Sequence, residues 1–242
     1  MPEPEEQRSA RRRGRGDRAG LTLSGILEAA RGLDPQRITV KAVADRLGVD
    51  RAAVHHHVSD LHGLRRLVAG DAVSLHLTPL TISDELGWRE ACRLLAQSIH
   101  RAVMATDGLA AYVHLENMGI GQLRPVEQTL RIMVAAGFDD ESAARCLASL
   151  ATLSTACARQ RLQSRTQDGH PHVPAMRRPL EEGAGSSAMP TLDRLVRADL
   201  VSHDDRQLGA SLDLMLDGME ALLTRLTSAG LRTSCVRPRS AS

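Results

Sequence analysis

Apolar residues recur at intervals of three and four along most of this chain, which is the spacing of one face of an α-helix. Over residues 21–33 the spacing predicts a first helix that ends between Gly32 and Pro35. No stretch alternates between apolar and polar residues with the period of two that a half-buried strand shows. The sequence therefore predicts an all-α fold.

Capping residues divide the rest of the chain into further helices. Thr39 can begin a second helix and Gly48 can end it, because glycine readily takes the left-handed conformation found after a helix. Asp50 can begin a third helix that runs on to Val58. Asp60 can begin a fourth, and later helices are predicted at about 87–106, 121–137, 140–162, 190–200 and 205–229.

Two of the later helices carry apolar seams with alternating spacings of four and three, as in a coiled coil. In the last helix the seam is formed by Leu208, Leu212, Met215, Met219, Leu222 and Leu226. In the helix at 140–162 it has smaller members, namely Ala143, Leu147, Leu150, Ser154 and Cys157. Both seams could face the protein's own core. Alternatively they pair across a two-fold axis, with Leu147, Leu150 and the seam of the last helix as dimer contacts.

Residues 39–58 have the pattern of a helix-turn-helix, which would form one domain over residues 21–67. Ala44 is small enough for two helices to cross, and Gly48 tolerates the positive φ of the turn. Val54 and Val58 can lock the second helix onto the first. Such a pair can place its second helix in the major groove of DNA, N-terminus first.

The face opposite these valines holds the candidate DNA contacts. Arg51 lies on the first turn, where an arginine can bond O6 and N7 of guanine together, although a solvated surface arginine is the alternative. Consecutive helical residues point about 100° apart, so the three histidines at 55–57 cannot converge on one metal ion. We expect His57 to pack against the domain while its two neighbours reach DNA. The complete predicted set is Thr39, Lys41, Arg51, Ala52, His55, His56 and His57.

Composition and charge narrow the class of protein. Apolar residues make up 42% and charged residues 25%, as in ordinary globular proteins. No apolar run approaches the ~18 residues of a membrane helix, and no signal peptide is evident, so a cytoplasmic location without membrane contact is expected. The scattered cysteines Cys92, Cys146, Cys157 and Cys235 predict free thiols rather than a disulfide or zinc site, and no cofactor is expected.

Three segments outside the predicted helices differ in composition. Residues 1–20 have few large apolar side chains and contain six arginines, which predicts a disordered basic arm. Residues 164–190 are rich in Gly, Pro, Ser and charge and predict a mobile loop inside a second domain at 68–230. Residues 231–242 would form a tail.

With these features the sequence resembles the tetracycline-repressor (TetR) family of transcriptional regulators. The stretches LTLSGILEAARGL and ITVKAVADRLGVDRAAVHHHVSDLHGLRRLV carry the resemblance to the family's DNA-binding domain. Further look-alikes of the tetracycline repressor's own subfamily are Trp88, Asp107-Gly108, Val113-His114-Leu115, Val126-Glu127 and Ala136-Gly137-Phe138. The resemblance implies a helical ligand-binding domain that dimerises through the two helices with apolar seams.

Within the resemblance, His114 matches the histidine that coordinates magnesium in the magnesium–tetracycline site. The other polar positions of that site fall on Leu77, Leu95, Ile99, Thr129, Thr152 and Gln160. Magnesium needs oxygen ligands and water held by a carboxylate, and Gln160 is not a carboxylate, so magnesium–tetracycline is not the expected ligand. A pocket for a mostly apolar molecule is expected instead, with polar contacts from His100, Tyr112, His114, Asn117, Gln122 and Thr129.

The leading interpretation is a homodimeric repressor that a small ligand releases from operator DNA. An architectural DNA-binding dimer without a ligand is a second possibility. A small helical enzyme is a third, but the sequence has no nucleophile motif, no HExxH and no phosphate-binding loop.

Overall fold

A computed structural model describes residues 21–113, 119–166, 189–198 and 205–234. Within these ranges the chain is helical and contains no strand, which confirms the all-α prediction. The described helices are α1 (Leu23–Arg31), α2 (Val40–Leu47), α3 (Arg51–His55), α4 (Leu61–Leu77), α5 (Trp88–Met104), α6 (Ile120–Ala135), α7 (Asp140–Thr166), α8 (Pro190–Arg197) and α9 (Asp205–Ser234), with 3-10 turns at Pro35–Arg37 and Ala110–Tyr112.

The chain divides after Val68 into two compact units, which we call the first and the second unit. In the first unit α2 packs against both α1 and α3. Its core contains Ile26, Ala30, Val43, Ala44, Val54 and Leu64, each of which is fully or almost fully buried. The first unit is therefore built around the apolar positions that the helical spacing identifies.

Local signals set the helix ends of the first unit. The Thr39 hydroxyl accepts a hydrogen bond from the Ala42 N–H at 3.0 Å and so caps α2. Gly48 ends α2 in the left-handed conformation, with a φ of 66°. The Asp60 carboxylate accepts a hydrogen bond from the Gly63 N–H at 2.7 Å at the start of α4. The predictions for these three residues are confirmed.

The third helix differs from its prediction. It ends at His55, so Val58 lies beyond it, although its side chain is still buried. Asp50 has the extended backbone of an N-terminal cap, but its side chain makes no capping hydrogen bond. The apolar spacing correctly indicated that Val54 and Val58 are buried, but α3 ends about one turn before Val58.

The second unit has one main core. Within it α5 packs against α6 and α7, and α9 packs against α7. Trp88 at the start of α5 meets Phe138 edge to face, with ring centroids 5.2 Å apart. The core side chains include Cys92, Leu95, Ala96, Met133, Phe138, Ala143, Leu147, Leu150, Cys157, Leu208, Leu212, Leu216 and Met219.

Ion pairs connect α5 to α9 along the edge of this core. Arg89 pairs with Asp217 at 2.6 Å, and Arg93 pairs with Asp213 at 2.6 Å. Arg89 also donates to the carbonyl oxygen of Leu216 at 3.1 Å. Because the two carboxylates are largely exposed and the two arginines are about one third exposed, the pairs orient the two helices and contribute little stability.

Several predicted segments lie outside the described residues. These are the basic arm at 1–20, most of the loop at 164–190, and the end of the tail, from residue 235. None of the described helices combines the length and the hydropathy needed to cross a membrane.

Candidate functional site

The exposed face of α3 is the first candidate site. Arg51, Ala52, His55 and His56 are exposed on or directly after this helix, whereas Val54 is 0% exposed. The buried valine fixes the orientation of α3 in the first unit, because its side chain has to remain in the core. The arginine on the first turn is consequently presented to solvent.

Two further predicted DNA contacts lie at the start of α2. The side chains of Thr39 and Lys41 are exposed, and the Thr39 hydroxyl oxygen caps the helix. His57 is also exposed, so the expectation that it packs against the domain is wrong. It lies in a turn two residues after the end of α3, where the helical spacing no longer decides which side a residue faces.

The candidate ligand contacts lie in the second unit, and two of them already have structural partners. The Gln122 side-chain oxygen accepts a hydrogen bond from the Gly119 N–H at 2.6 Å, at the start of α6. The Thr129 hydroxyl donates to the carbonyl oxygen of Pro125 at 2.8 Å. Both side chains are buried, but these bonds occupy groups that the sequence suggested for a ligand.

Of the other four candidates, two lie in the described part of the chain. His100 on α5 and Tyr112 in the second 3-10 turn are half-buried. His114 and Asn117 lie outside the described residues.

Arg159 of α7 is a residue whose role the sequence did not reveal. It donates from Nε to the carbonyl oxygen of Ala110 at 3.1 Å and from Nη2 to that of Val113 at 3.2 Å. These bonds tie the turn before residue 114 to α7. One signal in the sequence pointed to such a role, namely an arginine within a mostly apolar helical stretch. An arginine that is partly buried generally requires hydrogen-bond partners.

The apolar seams are placed differently from the predicted dimer interface. Five of the predicted dimer contacts are already buried within a single chain, namely Leu147, Leu150, Leu208, Leu212 and Met219. Met215 and Leu226 are half-buried against the same core, and Leu222 is half-buried. Because their own chain already covers these five residues almost completely, they leave little surface for a second chain, and the structure places them in the subunit's own core.

Other faces of the same two helices are exposed and contain small or apolar residues. On α9, Leu214 is 76% exposed and lies with Ala210, Gly218 and Ala221 on one side of the helix. On α7, an exposed row is formed by Ala144, Ala148, Thr152 and Ala156. Small side chains of this kind let another helix approach closely.

The described cysteines are unbonded thiols. Burial raises the pKa of Cys92 to about 12, so this thiol stays protonated at neutral pH and is a poor nucleophile or metal ligand. Cys235 lies outside the described residues. Within the described part of the chain, no group of three or more His, Cys, Asp or Glu residues is arranged to hold a metal ion.

A family model described as tetracyclin repressor-like, C-terminal domain matches residues 82–223, which is more than half of the chain. A search of curated proteins finds no match.

Three solved structures illustrate the likeness of the fold. A possible TetR family transcriptional regulator from Streptomyces coelicolor A3(2) has a TM-score of 0.68 at 21% identity, covering 82% of this chain and 98% of its own. ActR from Streptomyces coelicolor in complex with actinorhodin has a TM-score of 0.64 at 21% identity, covering 84% and 97%. A TetR variant from Acinetobacter baumannii AYE in complex with minocycline has a TM-score of 0.59 at 18% identity, covering 84% and 98%. Together with the family model, the described fold leads to one conclusion: this chain belongs to the TetR family of transcriptional regulators.

Proposed function

We propose that this protein is a homodimeric repressor that binds operator DNA through α2 and α3 and is released by a small, mostly apolar ligand. The observation that carries the proposal is the exposed face of α3 with Arg51 on its first turn. A side chain in that position can reach base edges when the helix enters the major groove. Thr39 and Lys41 would then contact the DNA backbone from the start of α2.

Arg51 provides the direct test of DNA recognition. Arg51→Ala is expected to weaken binding to the selected operator by about 1–3 kcal/mol and to relax the preference at one base pair per half-site. Operators can be selected from random DNA with the purified protein and titrated by fluorescence anisotropy. Arg124→Ala, at an exposed position of α6, serves as the control and should bind normally. Equal losses on operator and random DNA would assign Arg51 to a phosphate contact instead.

One helix-turn-helix covers a half-site, so tight binding requires two copies of the chain. We propose that the dimer forms through the exposed faces of α7 and α9, in place of the buried seams. The exposed Leu214 and the small residues around it would pack against the same faces of the second copy. This proposal keeps the two helices that the family resemblance implies and changes the residues that make the contact.

Leu214→Glu tests the interface. Its carboxylate would be buried without a partner between two subunits, which costs several kcal/mol and should dissociate the dimer. Sedimentation and operator titration should show a monomer that retains weak, salt-sensitive DNA binding. Val134→Glu places the same charge on an exposed apolar position of α6 and should remain dimeric. A dimeric Leu214→Glu protein with normal operator affinity would exclude this face.

Ligand control distinguishes a repressor from an architectural DNA-binding dimer. ActR and the TetR variant were solved with actinorhodin and minocycline, respectively. For this chain, the apolar character of the second unit supports a mostly apolar ligand. A thermal-shift screen of microbial natural products, followed by operator release, is the test, because a bound ligand stabilises the folded protein by mass action. Stabilising compounds that leave operator binding unchanged would contradict ligand-controlled repression.

A further inference from the structure

Ser154 lies on the core-facing side of α7 and is 0% exposed. Its neighbours along that side, Leu150, Cys157 and Ala158, are buried as well. The Oγ atom of Ser154 is shielded from solvent and has no hydrogen-bond partner. Among the side-chain oxygens that the structure describes, Ser154 Oγ is the one that is buried without a hydrogen-bond partner.

Other hydroxyl groups on helices of this protein do have a hydrogen-bond partner. A serine or threonine in a helix can donate to the carbonyl oxygen four residues earlier. That bond is made by Thr129 to Pro125 at 2.8 Å, by Ser149 to Arg145 at 2.9 Å and by Thr152 to Ala148 at 2.9 Å. The two exposed residues on α7 make the bond, whereas the buried Ser154 does not. An unpaired buried hydroxyl destabilises a core, so its presence calls for a partner.

We propose that the Ser154 hydroxyl is the hydrogen-bonding anchor for the effector inside the second unit. The inference rests on the proposed ligand control and specifies one of its contacts. Sequence periodicity alone assigns Ser154 to a helix-packing seam. The structure instead identifies an unused polar atom among apolar side chains, which is the arrangement that orients a ligand in an apolar site.

The surroundings of Ser154 define the chemistry of the ligand. The neighbours of Ser154 on the buried side of α7, Leu150 and Cys157, belong to a core that also includes Leu95 and Ala96 of α5, and the side chains of this core are aliphatic and thiol groups. A hydroxyl can both donate and accept, so it fits a hydroxyl or a carbonyl oxygen on the ligand. A charged group is excluded, because burying an unpaired charge is far more costly than burying a neutral polar atom. We therefore expect a largely aliphatic molecule with a neutral oxygen function at the point where it meets Ser154.

The first experiment measures the ligand-free full-length protein. Ser154→Ala removes an unpaired hydroxyl and should raise the Tm by about 2–4 °C. The control Thr129→Val removes a hydroxyl that already has a protein partner and should not raise the Tm. A fall in Tm for Ser154→Ala would show that the hydroxyl has a structural partner, such as a trapped water, and would overturn the proposal.

The second experiment measures binding of defined probes by calorimetry and thermal shift. Wild-type protein should bind 1-decanol and 2-decanone more tightly than decane, and Ser154→Ala should lose roughly fivefold of the affinity for the two oxygenated probes while decane is unaffected. Either of two results overturns the proposal: no preference for the oxygenated probes in the wild type, or an undiminished preference in the variant.

Operator binding separates this proposal from the proposed function. Ser154→Ala should bind the operator as tightly as the wild type, because Ser154 is buried and both α3 and the exposed faces of α7 and α9 are unchanged. If the variant binds the operator and keeps the full preference for oxygenated probes, Ser154 is not the anchor, while the repressor assignment stands. If the wild type binds no operator, the proposed function fails whatever the probes show.

Discussion

The helix pairs α2–α3 and α7–α9 both bury the apolar positions that their sequences repeat, but they differ in how far apart the partners lie in the chain. In the first pair, Val43 and Val54 are 11 residues apart, and a turn with a single glycine joins the helices. In the second pair, Leu147 and Leu212 are 65 residues apart and belong to the same core.

This difference in separation explains why the sequence predicted the packing partner of α3 but not the packing partner of the seam on α9. With a short turn, two amphipathic helices can hardly avoid packing against each other, so the pattern of α2 and α3 identified both the buried side and its partner. With a long connection, the pattern of α9 showed that one side is buried but left open what covers it. The seam could have been covered by the chain's own α7 or by a second chain, and the structure shows the former.

The largest expected effect tests this assignment directly. Leu212→Ala should lower the free energy of unfolding by about 2–5 kcal/mol, because a fully buried leucine leaves a cavity. The measurement is urea unfolding followed by the fluorescence of Trp88, which packs in the same unit. It should be made in the Leu214→Glu background, where the dimer is expected to be dissociated.

In that monomeric background, the two interpretations of the seam give opposite results. A seam in the subunit's own core loses stability in the monomer as well. A seam between subunits would already be exposed there, so Leu212→Ala would have almost no effect. Asp213→Ala is the control, because the Asp213 side chain is 63% exposed and its ion pair with Arg93 contributes little stability.

A smaller effect is expected at the turn between α2 and α3. Gly48 has a φ of 66°, and a Cβ at this position would meet no atom within 4 Å. Gly48→Ala should therefore destabilise the first unit by about 1–2 kcal/mol through backbone conformation alone. Amide hydrogen exchange over residues 21–60 would measure the loss.

Gly70→Ala is the matched control for the turn glycine. Gly70 lies inside α4, where an added Cβ would also meet no atom within 4 Å, and it has no positive φ. Alanine in a helix interior should be neutral or stabilising by up to about 1 kcal/mol. A Gly48→Ala protein as stable as Gly70→Ala would mean that the turn does not require its left-handed residue.

The smallest effect is expected at the start of α2. Thr39→Ala removes the hydroxyl that accepts from the Ala42 N–H and should destabilise the first unit by about 1 kcal/mol. Thr39→Ser keeps the capping oxygen and should restore most of the loss in the same exchange experiment. If Thr39→Ser is as unstable as Thr39→Ala, the methyl group rather than the cap accounts for the effect.

The distance along the chain between interacting residues also explains why the candidate sites were predictable to different degrees. Arg51 is exposed as expected, because Val54 three residues later fixes which side of α3 is buried. Gln122 and Thr129 are buried, but their bonds to Gly119 and Pro125 depend on local backbone geometry that apolar spacing does not describe. The sequence indicates only that Arg159 needs partners, and it does not indicate the two distant carbonyl groups to which Arg159 donates.

The sequence by itself determined the helical fold, the helix ends at Thr39, Gly48 and Asp60, and the buried sides of α2, α3 and α9. These features follow from interactions among residues close together in the chain, where capping, backbone conformation and helical spacing act. The tertiary structure alone decided that the seam of α9 faces α7, that Leu214 is left exposed, and that Ser154 lacks a partner. Those features depend on which distant surfaces meet, and a periodic pattern of apolar residues is compatible with more than one such partner.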